Sequence, residues 1–249
     1  MLRSVVTLLE EMGNLVLMCF QVLFWSFRPP FRAAEFLRHL EFVGVGSLFI
    51  VILTGTFAGA VLGLQGIYAF EILKMEAMVG GSVALVLARE LSPVLAGLMV
   101  TGRVGSAMAT EIGTMRVTEQ LDAMETMAVN PIQYLIVPRV WATTIMLPAL
   151  CIIFTLVGMV GCYMVCVVWL GVDYGLFFAY IEDFMYLDDL ISGVIKAAIF
   201  GAALATIGCF KGYYAAGGAR GVGNATTRAV VLASVMIFVL DYILTAVMY

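Results

Sequence analysis

Histidine is almost missing from this chain: 249 residues contain one, His39. A lone imidazole beside Arg38 and Glu41 reads as part of a solvated basic loop, and it cannot build a histidine metal cluster. No Ser or Cys stands next to a general base in the sequence. No GxxxxGK[ST] run exists to cradle nucleotide phosphates. The chain is therefore expected not to be an enzyme, to need no cofactor and no metal, and to have no nucleic-acid partner. Its five cysteines (Cys19, Cys151, Cys162, Cys166, Cys209) all lie in apolar runs. Cys162 and Cys166 share a helix face, but without a second pair or a histidine they read as small hydrophobes. Charge is scarce as well, at 12% of residues against roughly a quarter in soluble domains. A signal-peptide layout is also missing, because Glu10 and Glu11 interrupt the N-terminal apolar pattern after Arg3 and no small-residue cleavage site follows.

What is abundant is apolar sequence, 63% of the chain. That leaves room for about five spans of ~20 residues, and the expected fold is an all-α membrane protein. Residues 42–70 and 140–172 carry no Asp, Glu, Lys or Arg, while spans near 78–102, 190–210 and 229–249 each enclose a charge. Residues 5–27 are apolar but broken by Glu10, Glu11, Asn14 and Gln21. They are expected to form an interfacial or re-entrant helix, so that 1–40 is an N-terminal helix with a basic loop and 41–249 the five-span domain. With the N-terminus in the cytoplasm, ten of the 13 basic residues fall on the cytoplasmic side (Arg3, Arg28, Arg32, Arg38, Arg103, Arg116, Arg139, Lys211, Arg220, Arg228). The outer loop 173–189 is acidic, so the positive-inside rule places the C-terminus outside. The glycine-rich run 217–223 reads as a flexible cytoplasmic loop.

Gly55, Gly59 and Gly63 repeat every fourth residue on the first span. Such a stripe admits a close helix neighbour, either within the chain or across a homodimer seam. Ionisable residues at membrane depth are costly and face a partner or a wet cavity. Arg89 and Glu90 are adjacent, so they point about 100° apart, and Pro93 should disturb their helix. Together with Lys196 they are expected at one depth near the outer face. They form either a helix–helix ion pair or the polar lining of a substrate cavity whose apolar wall is Leu62, Phe70, Leu73 and Leu91. Asp241 has either a partner or a helix break to cap, and the pattern does not choose.

From Glu111 to Asn130 charges (Glu111, Arg116, Glu119, Asp122, Glu125) alternate with Ile112, Met115, Leu121, Met124 and Met127. Gly113 is expected to separate the first residues from the rest, and Pro131 and Pro138 to end the helix before the third span. The segment is either a solvated interfacial helix or a coupling helix that docks in a groove of an ATPase, for which a Met-rich face is suited.

The stretch ARELSPVLAGLMVTGRVGSAMATEIGTMRVTEQLDAMETMAVNPIQYLIVPR (88–139), with VLGLQG (61–66) and ATTRAVVLASVMIFVLDYILTAVM (225–248), closely resembles the MlaE/YrbE family, the permease subunits of MCE-linked ABC lipid transporters. The resemblance covers most of residues 40–249. It implies a homodimer of five-span subunits in the bacterial inner membrane, each with an N-terminal interfacial helix. Further implied partners are an ABC ATPase (MlaF-like) below, a hexameric ring of MCE-domain protein (MlaD-like) above and a STAS-domain protein (MlaB-like). The implied substrate is phospholipid moved between inner and outer membranes, maintaining outer-membrane lipid asymmetry. The family's coupling helix maps to about 111–130, with Glu111, Arg116, Glu119, Leu121, Asp122, Met124 and Met127, and its lipid cavity maps near Glu90. A sterol-importing relative or an ion-coupled secondary transporter using Glu90 and Asp241 are the alternatives, the latter without the inverted repeat common in such carriers.

Overall fold

The computed structural model describes residues 2–29, 32–72 and 74–248, with side chains from Glu10 onward. Among them every regular element is a helix. In chain order these are α1 (Leu2–Ser26), α2 (Ala33–Glu71), α3 (Glu76–Val117), α4 (Gln120–Thr126), α5 (Ile132–Trp169), α6 (Tyr174–Phe184), α7 (Leu187–Tyr213) and α8 (Gly218–Met248). Five of them, α2, α3, α5, α7 and α8, are long and apolar enough to cross a membrane. The protein is an all-α membrane protein with five spanning helices, as the sequence predicts. Leu73 lies outside the described residues.

The helices are longer than the apolar runs suggested. At 42 residues, α3 measures about 63 Å, twice the ~30 Å of hydrocarbon. Its charged continuation past Gly105 stays helical, so the expected 111–130 helix does not exist as one piece. Glu111 through Val117 belong to α3. The chain then turns at Glu119, which adopts left-handed φ 60°, and only seven residues form α4. Gly113 lies inside a helix, buried against Ala215 and Val222, and separates nothing. Pro131 and Pro138 do not end that helix either. Pro131 stands at the start of α5, where a proline's missing N–H costs nothing, and Pro138 lies in its second turn, directly after the π-turn Ile132–Ile136.

Three further expectations change. His39 sits half-buried in the second turn of α2 rather than in a loop. The glycine-rich run is mostly helix: Gly217 and Gly218, at φ 95° and 66°, make the turn that only glycine adopts readily, and α8 starts at once. The acidic segment 173–189 holds the aromatic helix α6, capped by Asp173, whose carboxylate accepts the Leu176 N–H at 2.9 Å. Phe177 is buried there against Gly80 of α3.

The glycine stripe is occupied by the chain itself. Gly55, Gly59 and Gly63 face Phe154 and Val157, Gly158, and Cys162 and Cys166 of α5. The close neighbour that this stripe admits within the chain is α5: a Cβ on Gly59 would enter the backbone of Gly158. Cys162 and Cys166 lie 3.7 Å apart, buried under Gly63. Gly59→Leu should cost at least the about 1–3 kcal/mol typical of overpacking, whereas Gly223→Ala, whose Cβ meets open space, should not destabilise. Thermal unfolding in detergent would compare the two.

Candidate functional site: a buried charge cluster and an exposed helix on one long helix

Two polar regions sit on α3, toward its opposite ends. The first begins with a π-turn at Leu87–Leu91, closed by the Ser92 N–H donating to the Leu87 carbonyl. Pro93 explains it in part: lacking an N–H, it cannot continue the ordinary ladder, and a single wide turn accommodates the change. The turn presents Arg89 and Glu90 to two sites on α7. Gly193 allows this, because its bare Cα sits against the Ala88 carbonyl where any side chain would collide.

Arg89 Nε donates to Asp189 Oδ1 at 2.7 Å, with Nη2 at 2.5 Å. The second oxygen, Asp189 Oδ2, accepts the Tyr186 N–H at 2.9 Å, so one buried carboxylate both caps α7 and holds the arginine. Seven residues on, Lys196 is fully buried. Its ammonium reaches Glu90 Oε2 at 2.6 Å, Asp241 Oδ1 at 3.2 Å and Thr245 Oγ1 at 2.7 Å. All three donors of the lysine are used. Thr245 in turn donates to the Asp241 carbonyl at 2.8 Å. The cluster joins α3, α7 and α8 and sets two cations among three carboxylates.

The sequence expectation for Arg89, Glu90 and Lys196 splits. Glu90 and Lys196 meet, whereas Arg89 takes a separate partner seven residues away. Asp241 is resolved as a partner of Lys196, near the end of α8 rather than midway. Asp189 and Thr245 were missed, although spacing carried a signal: Asp189 is seven residues before Lys196, and Thr245 four after Asp241, each on the same helix face. Leu62, Phe70 and Leu91 are half-buried against the apolar core. A hollow of about 450 Å³ beside Arg89 is lined instead by Tyr186, Asp188, Ile191, Ile195 and Met248, among others.

The second region lies at the far end of α3. Arg139, nearly fully buried, pairs with Glu111 at 2.9 Å and donates to the Leu135 carbonyl at 2.6 Å. Arg103 crosses to α2, donating to the Phe42 carbonyl at 2.9 Å and Ser47 Oγ at 3.0 Å. Helix α4 is held by three contacts. Leu121 is fully buried, Arg116 pairs with Asp122 at 2.7 Å, and the Tyr213 hydroxyl donates to Glu125 at 3.1 Å. This corrects the expectation that Leu121 faces a partner: it fixes α4 to its own chain. Met124 is half-buried against the core. The outward face is Glu119, Asp122, Ala123, Thr126 and Met127, the last 67% exposed.

A sequence model of the family described as "Permease MlaE" matches residues 36–247. The chain belongs to the MlaE permease family. It is 39% identical over 248 residues to the "Intermembrane phospholipid transport system permease protein MlaE" of Haemophilus influenzae, covering 99% of this chain and 95% of that protein. A "Probable ABC transporter permease protein" of Rickettsia conorii is 41% identical over 249 residues, 99% of this chain and 95% of that one. The chloroplastic protein Trigalactosyldiacylglycerol 1 of Arabidopsis thaliana is 39% identical over 210 residues, 84% of this chain and 60% of that protein. The chain is an ABC transporter permease of this family.

Lys196→Met should leave Glu90 and Asp241 facing one another without a cation. The expected loss is about 3 kcal/mol, the low end for a broken buried pair, because the Glu90 side chain keeps 35% of its exposure. Adding Glu90→Gln and Asp241→Asn should recover part of it. Thermal unfolding of the single and triple variants in detergent checks the order.

Proposed function

We propose that this protein is the membrane subunit through which an ABC transporter of the bacterial inner membrane passes phospholipid between the inner and outer membranes, preserving outer-membrane lipid asymmetry. Two copies work together, with a separate ATPase, an MCE-domain ring and a STAS-domain protein as partners. The end carrying α4 faces the cytoplasm, and the end carrying α6 faces the periplasm. The name of the Haemophilus influenzae relative, an intermembrane phospholipid transport permease, supports the substrate class. The basic residues grouped at the α4 end support the orientation.

One observation carries the mechanism. A single helix, α3, holds the buried charge cluster at Glu90 and the base of exposed α4 near Glu111. These are 21 residues, about 32 Å, apart. In this reading the ATPase moves α4, and α3 transmits that movement to the outer half of the bundle. There Leu62, Phe70 and Leu91 form the apolar wall of a lipid chamber between copies, with Arg89, Glu90 and Lys196 at its polar edge. The physical need is plain. A diacyl lipid exposes about 30 methylenes, and at ~0.8 kcal/mol each unaided transfer through water costs on the order of 20 kcal/mol. A shielded path driven by nucleotide hydrolysis removes most of that barrier.

Met127→Glu and Ala123→Arg alter only the outward face of α4. They should abolish co-purification of the ATPase while the permease melts as before. Leu121→Glu should instead lower the melting temperature itself. If the ATPase stays bound to both outward-face variants, α4 is not its dock. In vesicles containing the whole assembly, phospholipid transfer should require ATP. Transfer that follows an ion gradient without ATP would point instead to an ion-coupled carrier using Glu90 and Asp241.

A further inference from the structure

Outside the charge cluster, the junction of α1 and α2 forms a hollow of about 350 Å³ at the α4 end of the bundle. Trp25, Arg28, Arg32, Val137, Trp141 and Ile145 contribute to its lining. We propose that this hollow binds the headgroup of an anionic phospholipid of the surrounding leaflet, at a site separate from the transport path.

Depth is the first argument. Helix α5 has 38 residues, about 57 Å. Centred on ~30 Å of hydrocarbon, it overhangs by about 13 Å at each end. Trp141 lies nine residues from Ile132, which is also about 13 Å. The tryptophan therefore stands where hydrocarbon meets headgroups, the level that tryptophan favours. Its indole Nε1 donates to Ser26 Oγ at 2.8 Å, tying α5 to the end of α1. Ile145, one turn deeper and 50% exposed, continues the apolar wall into the bilayer.

Charge is the second argument. Among the described residues no carboxylate lies within ion-pair distance of Arg28 or Arg32, whereas Arg38, in the second turn of α2, pairs with Glu35 at 3.2 Å. Both free guanidinium groups are held by ring faces. Arg32 stacks 3.4 Å from the Tyr134 centroid, and Arg28 sits 4.1 Å from Phe24 and 5.6 Å from Trp25. Stacking occupies the flat face of a guanidinium and leaves its N–H edge for an oxyanion. Two such edges above an apolar wall match a phosphate diester with acyl chains below it. A soluble anion has no use for Ile145 and Trp141.

The chain's three tryptophans make the test direct. Trp169 lies at the opposite end of α5, so Trp169→Phe leaves emission from Trp25 and Trp141 alone. In phosphatidylcholine vesicles, acyl-brominated phosphatidylglycerol should quench this emission with an apparent affinity on the order of tenfold tighter than brominated phosphatidylcholine. Arg28→Gln with Arg32→Gln should erase that preference, and Arg38→Gln should leave it. Equal quenching by the two lipids in the Trp169→Phe protein would overturn the proposal without any arginine variant. So would a preference that survives the double substitution, or one that added inorganic phosphate removes. The readout is binding, so transport can fail in this protein while the site stands, and the reverse.

Discussion

A fully buried ammonium inside a membrane bundle fixes much of this structure. Lys196 has no water to fall back on, so each of its three donors must find an acceptor from the protein. The acceptors come from three chain segments far apart in sequence: Glu90 on α3, and Asp241 and Thr245 on α8. Apolar side chains slide past one another at little cost in lipid, because hydrocarbon outside resembles hydrocarbon inside. A buried lysine with three partners does not slide. It sets the register of α7 against α3 and α8, and the adjacent Arg89–Asp189 pair repeats the lock two turns toward the α6 end.

The geometry that makes the lock possible is steric. Gly193 and Gly201 bring α7 against the backbones of α3 and α5, and Gly59 with Gly158 brings α2 against α5. Wide turns at Leu87–Leu91 and Thr101–Gly105 redirect α3 without breaking it. Both turns carry an arginine whose side chain crosses to another helix, Arg89 to Asp189 and Arg103 to the Phe42 carbonyl. A π-turn shifts every following residue around the helix axis. The two arginines can therefore reach different neighbours while α3 stays one rod.

The spans and the meeting of Glu90 with Lys196 were legible in the sequence, because hydropathy and the cost of buried charge act locally. What was not legible came from tertiary choices. The glycine stripe advertised a close neighbour but not which one, and α5 of the same chain took it. Leu121 had the spacing of a docking residue, yet its side chain turned inward because a left-handed residue at Glu119 rotated α4 after the helix break. Asp189 looked like loop charge, since hydropathy places an acidic residue at the water side. It is buried because it satisfies an arginine and a helix N-terminus at once. Asp241 could not be assigned from its own helix at all, because its partner lies 45 residues away.

The length of α3 links these observations to the proposed mechanism. About half of its 63 Å exceeds the hydrocarbon, and the excess cannot all protrude at the α6 end, because Glu90 is only 14 residues from Glu76. The long arm therefore extends toward α4. Its tip is clamped laterally by Arg139 of α5 to Glu111, and α4 beyond it by Tyr213 of α7 to Glu125. A push on α4 then acts on a rod whose other half is pinned by Lys196. Such a rod pivots more readily than it translates, because translation would pull Glu90 off a buried ammonium, whereas a tilt about the pin keeps that bond and moves the ends in opposite directions. In the proposed transporter, the buried cluster is then the fulcrum, and the paired side chains beside the chamber resist the wrong motion rather than contact the lipid first.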